Sequence, residues 1–225
     1  MNLNKSIDEL RKPATQAVSL ITLFIILFSS LTLLFGLEYE NVTFYLKIVT
    51  IIELIIIGVS LLQYIRFINF KDENLVNKKI LKNYARFLTV VNIVGTYNVV
   101  FAFSNVFYFV ALQNDIDLYK YWLLNFVTML VCFLLFTLGG VFFILNINFL
   151  KNYISPKLQT AVGLLLMFVS QFIIIEKVIE YILVPNIADS KFVILAVIVF
   201  VIVAYYMNVL WLMKYADFKI LVLKE

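Results

Sequence analysis

The chain has 225 residues, of which 64% are hydrophobic and 14% charged, where a soluble domain has about 45 to 50% apolar and about 25% charged residues; its mean hydropathy is +1.00. This is the composition of an all-α integral membrane protein. The net charge of +4, from 18 Lys and Arg against 14 Asp and Glu, is expected in loops that face a lipid bilayer and not on a nucleic-acid surface, and the absence of histidine removes the usual general base, zinc ligand and near-neutral proton switch together.

A hydrocarbon core about 30 Å thick needs roughly 20 apolar residues in a helix, and six stretches qualify. The first, 17–36, follows Lys5, Arg11 and Lys12 as a secretory signal would. Its length and the lack of a small-x-small cleavage site near 34–38 identify it as a retained helix. The second runs over 44–65. The loop after it, 66–87, is basic, and Val76, Ile80 and Tyr84 recur at i, i+4, i+8 among Lys78, Lys79, Lys82 and Arg86. That spacing predicts an amphipathic helix on the inner surface, where the four cations are candidate contacts for anionic lipid or for a partner's acidic face. The bland alternative is that cytoplasmic loops are simply basic. The third span covers 88–112, the fourth 121–145, the fifth 158–184 and the sixth 192–213. The expectation is one membrane domain, 1–225, built as a polytopic bundle of six transmembrane helices.

Orientation follows from where Lys and Arg fall in short loops. The N-terminal tail, the second and fourth loops and the C-terminal tail carry 14 of them, and the opposite side only Lys120 and Lys191. Both termini are therefore expected in the cytoplasm, with the bundle in the plasma (cytoplasmic, or inner) membrane. Aromatic residues at span ends, such as Phe44, Tyr64, Tyr121, Trp122 and Trp211, fit an interfacial belt.

A charge inside a span costs at least about 2.5 kcal/mol, so ionisable residues there are functional candidates. Lys47, Glu53, Glu176, Lys177 and Glu180 qualify, and all five fall in the outer half of the bilayer. Glu176 and Glu180 share a helix face at i, i+4, where like charges repel unless a cation or a proton intervenes. Lys47 is the expected counter-ion if the second and fifth helices touch. Interfacial placement of Glu176, Lys177 and Glu180, with Lys47 snorkelling outward, is the alternative. Glu53 has apolar neighbours on both sides, and is expected to be buried and to carry its proton when no cation is near. The third span is the most polar. Asn98 and Asn105 lie about 20° apart around it, and Tyr97, Ser104 and Tyr108 make a neighbouring stripe. These groups either line a pathway or supply interhelical hydrogen bonds of roughly 0.6 kcal/mol each.

Gly139-Gly140 permits a kink or a close helix approach. All three prolines lie at span boundaries, so broken helices are not expected. The lone Cys132 excludes a disulfide framework or a Cys-rich metal site, no aspartate falls within a span, and neither GxxxxGK[ST] nor GxGxxG occurs. No cofactor, metal or catalytic residue is therefore assigned, and the chain is not expected to be an enzyme. The leading functional reading is a channel or transporter for an ion or small solute, with Glu53, Lys47, Glu176, Glu180, Asn98 and Asn105 as pathway candidates. The alternative is a non-transporting component: a partner subunit, an immunity-like protein or a membrane-perturbing effector, docking through its polar helix faces and basic inner loop. A homo-oligomer or a membrane partner subunit is compatible with either.

Overall fold

A computed structural model describes residues 3–11, 17, 20–25, 41–62, 78–145 and 155–224. Among them the chain is all-helical: α1 (Leu3–Leu10), α2 (Phe44–Leu62), α3 (Lys78–Gln113), α4 (Tyr119–Gly140), α5 (Pro156–Val169), α6 (Phe172–Leu183) and α7 (Phe192–Lys224), with a π-helical turn, Val141–Leu145, after α4. Five helices are long and apolar enough to cross a membrane, α5 and α6 counting together as one. The first expected span lies largely outside the described residues. Its helical residues 20–25 contribute Leu23 and Ile25, which pack against Ile57 of α2 and Ala102 of α3.

At about 1.5 Å per residue, the 36 residues of α3 and the 33 of α7 span roughly 50 Å each, well beyond a hydrocarbon core of about 30 Å. Both overshoot at the same end, and that end is where α1 docks. Ile7 and Leu10 of α1 close a small apolar core with Leu81, Ala85 and Leu88 of α3 and Phe218 and Val222 of α7. Asn92 Nδ2 caps the last turn of α1 by donating to the Leu10 carbonyl (2.8 Å), and Arg11 Nε donates to Tyr84 Oη (2.9 Å). This corrects the reading of 66–87. Residues 78–87 are not a separate surface helix but the first turns of α3. Their buried stripe is Leu81–Ala85–Leu88, while Ile80 is exposed and Tyr84 half-buried. Val76 lies outside the described residues. Two helical partners, α1 and α7, bury the Leu81 face, which no pattern within the loop reveals.

Gly139, Gly140 and Gly163 set the α4–α5–α7 crossings. A Cβ on Gly139 would sit 2.7 Å from the Gly163 carbonyl oxygen, and one on Gly140 would sit 2.6 Å from Leu212 Cδ1. At Gly139, where the neighbour is backbone, only glycine permits that approach. The fifth span is broken, contrary to expectation. Ser170 and Gln171 separate α5 from α6 without any proline: Ser170 Oγ and Gln171 Nε2 both donate to the Met167 carbonyl (2.6 and 3.2 Å), and Tyr205 Oη of α7 donates to the Ser170 carbonyl (2.9 Å). Side chains that enter the backbone ladder in this way bend helices.

Candidate functional site

The described interior holds four buried charged side chains, Glu53, Glu176, Lys177 and Glu180. All lie in the half of the bundle away from α1, beside the α3 turns from Asn98 to Tyr108. The expected polar stripes of α3 are realised as two adjacent faces with different partners.

One face turns to α2. Asn105 Nδ2 donates to Glu53 Oε1 (2.8 Å), and Asn98 Nδ2 donates to the Glu53 backbone carbonyl (3.2 Å). The seven-residue spacing of the two asparagines thus grips a single residue of α2. Trp122 Nε1 of α4 donates to Asn105 Oδ1 (3.0 Å). An indole N–H can only donate, so it holds the Asn105 oxygen on its own side and the amide NH2 towards Glu53. Glu53 Oε1 is the acceptor in this contact. Trp122 is therefore no belt residue, being buried and within ring contact of Tyr45 (centroids 4.5 Å apart).

The other face turns to α4 and α6. Lys177 is 1% exposed, and its ammonium finds three acceptors: Glu180 Oε2 (2.6 Å), Asn125 Oδ1 and Ser104 Oγ (3.4 Å). Three protons meet three acceptors. Asn125 Nδ2 donates in turn to Ser104 Oγ (2.9 Å), and Tyr108 Oη donates to Glu180 Oε1. Glu176 Oε2 lies 3.9 Å from the ammonium and accepts no hydrogen bond among the described residues. The cluster corrects the expected pairing of helices two and five. The counter-ion of both glutamates is Lys177, from their own helix, whereas Lys47 is half-buried on α2 and makes no ion pair with either. Helix α3 stands between: α2 packs on α3, and α6 packs on α4 and α7. Burial, not interfacial placement, is what the structure gives for Glu176, Lys177 and Glu180.

A third polar group lies towards the middle of the bundle. Asn208 Nδ2 of α7 donates to Tyr97 Oη and to Thr137 Oγ1 (2.8 Å). The hydroxyls of Thr89 and Thr96 return to carbonyls one turn earlier in α3 (2.8 and 2.7 Å), and these two are backbone-satisfied. Lys79, Lys82 and Arg86 are exposed on the overshoot of α3, and Arg86 Nε donates to Tyr215 Oη (3.1 Å). The Lys78 side chain lies outside the described residues. Among the described residues no cluster of three His, Cys, Asp or Glu is placed to hold a metal ion.

Asn125 and Trp122 join Lys177, Ser104 and Tyr108 in the site; by sequence Trp122 belongs only to an interfacial belt, and the spacing of Lys177 and Glu180, i and i+3, is the signal for their pairing.

A family described as "Domain of unknown function (DUF5079)" matches residues 4–225. The chain belongs to that family. No curated protein and no solved structure gives a significant match to it. The match runs through α1 and both overshooting helices as well as the membrane-spanning part, so the family's unit includes the small core at the α1 end.

Proposed function

We propose that this membrane protein is a channel or transporter that moves a cation or a proton through its polar interior. One observation carries the reading: the buried interior of the described residues holds three carboxyls, Glu53, Glu176 and Glu180, against one ammonium, Lys177. Fully ionised, that set carries a net charge of −2, and each uncompensated charge costs at least about 2.5 kcal/mol in a bilayer. Such a site holds protons or cations beyond its own lysine. The proposal includes six spans in the plasma membrane with both termini in the cytoplasm. It is supported by the Lys and Arg partition and by the docking of α1 beside the end of α7, at the end of α3 opposite to where α2 begins.

The test is flux of protons and of monovalent cations, inorganic and organic, in liposomes that hold the purified chain. Glu53→Gln keeps the hydrogen bond from Asn105 but cannot ionise, and it should abolish flux while the protein stays folded. Wild-type liposomes that leak no faster than empty ones would overturn the reading. The Tyr97–Thr137–Asn208 group favours a second reading, because hydrogen bonds that join helices need no pathway. In it the chain is a non-transporting component that docks a membrane partner or anionic lipid through exposed Lys79, Lys82 and Arg86, and Glu53→Gln behaves as wild type.

A further inference from the structure

Between α2 and α4, with α3 as its floor, lies a cavity of about 400 Å³, a size that suits a small organic ligand. Tyr45 and Trp122, one turn beyond Val49 and Phe126, meet across its end. Its walls are almost wholly apolar and rich in rings. Tyr97 stacks on Phe133 at 4.0 Å, and Phe101 meets Phe126 at 5.4 Å and Phe133 at 5.5 Å. Several lining residues, Ile52, Val94, Leu130 and Leu134 among them, are also exposed on the lipid-facing side of the bundle, so the cavity opens sideways, towards the bilayer. Within this apolar lining stands one carboxyl, that of Glu53. Asn105 occupies its Oε1, Oε2 has no hydrogen-bond partner among the described residues, and no lysine or arginine lies within ion-pair distance of it there.

We propose that this cavity binds a lipophilic organic cation that enters from the bilayer. A carboxylate beside aromatic faces recognises such a molecule twice, by charge and by attraction of the cation to the rings, while the apolar walls take its body. An inorganic ion is a poor fit, since apart from Glu53 the lining offers few oxygens to replace its water. A neutral acyl chain would leave Glu53 without a partner. The bound cation would supply the positive charge that the buried interior lacks. The inference rests on the same Glu53 as the transport reading and names its substrate class, but occupancy is measured without flux, so either can fail alone.

The experiment is titration calorimetry on the purified full chain in one neutral detergent. The probes are methyltriphenylphosphonium, a permanent cation, and triphenylphosphine oxide, its neutral counterpart. The cation should bind to the wild type with one site per chain, and the oxide at least about tenfold more weakly. Glu53→Gln should weaken the cation by about tenfold or more and leave the oxide unchanged. Leu130→Trp, which adds bulk to the cavity wall from α4 and leaves the Glu53 carboxyl in place, should weaken both, and it keeps the proposal testable if Glu53→Gln does not fold. Equal affinity for the two probes would mean an apolar slot for acyl chains and would overturn the proposal, as would undiminished cation binding by either variant.

Discussion

Replacing Lys177 by methionine keeps an unbranched side chain of similar length and removes the ammonium from the centre of the α3–α4–α6 cluster. Three hydrogen bonds go with it, to Glu180, Asn125 and Ser104, and so does the ammonium 3.9 Å from Glu176. Hydrogen bonds between membrane helices average roughly 0.6 kcal/mol, so the two neutral contacts account for about 1 kcal/mol. Leaving a buried carboxylate unpaired costs about 3 to 5 kcal/mol, and dominates. At about 2 to 4 °C per kcal/mol for a chain of this size, the total of about 4 to 6 kcal/mol means that Lys177→Met should lower the melting temperature by roughly 8 to 24 °C. Both tryptophans, Trp122 and Trp211, are buried, so their fluorescence reports unfolding in micelles. Glu180→Met alone leaves the ammonium with Glu176, 3.9 Å away, as its carboxylate partner and should cost less than Lys177→Met. The double variant removes both charges and should lose less than the sum of the singles, with a coupling of about 2 kcal/mol or more. Lys47→Ala should show no coupling to Glu180→Met. Additivity of Lys177→Met and Glu180→Met within about 0.5 kcal/mol would refute the pairing, and coupling of Lys47 to Glu180 would restore the cross-helix pair that the structure replaces.

Three further outcomes are expected. Gly163→Ala places a Cβ 2.8 to 2.9 Å from backbone atoms of Gly139 and Phe143 and should destabilise the bundle by about 1 to 3 kcal/mol. Gly58→Ala meets nothing within 4 Å and should be neutral or mildly stabilising, the better helix former being gained, as thermal melts of the pair would show. For the topology, single cysteines at Lys5 and Lys79 should resist an impermeant thiol reagent in intact cells while those at Asn114 and Asn186 react, all four sites being exposed and the native Cys132 buried. Labelling at Lys79 from outside would reverse the orientation.

Much of the architecture was legible because membrane helices announce themselves by length and apolarity, which are local properties. The heptad spacing of Asn98 and Asn105 likewise placed both on one face, whatever that face met. What escaped depended on neighbours. The overshoot of α3 and α7 reads as a basic loop and a tail until α1 is known to cover Leu81, Ala85 and Phe218. The break at Ser170–Gln171 carries no glycine or proline, and arises from two side chains that compete for the Met167 carbonyl and a tyrosine from another helix. Trp122 looked interfacial by its position near a span end, and is buried because Asn105 offers it an oxygen. Matching depth across two helices points to Lys47 as the counter-ion, whereas the i, i+3 proximity of Lys177 to Glu180 within one helix is what forms the pair.

The polar layer is not what holds this bundle together, and that separates chemistry from stability at Glu53. The helices are joined by close backbone approach at Gly139 and Gly163, by ring stacking such as Phe136 on Tyr205 at 3.8 Å, and by the apolar core that runs from Ile93 to Leu212. Against those contacts, a neutral hydrogen bond worth roughly 0.6 kcal/mol is a small term. Glu53→Gln retains an acceptor for Asn105 and stays uncharged, so it disturbs no packing and strands no buried charge. A loss of flux or of cation binding in that variant therefore reports the ionisable carboxyl itself. Lys177 offers no such separation, since its charge is matched inside the fold and its removal must first be read as a loss of stability.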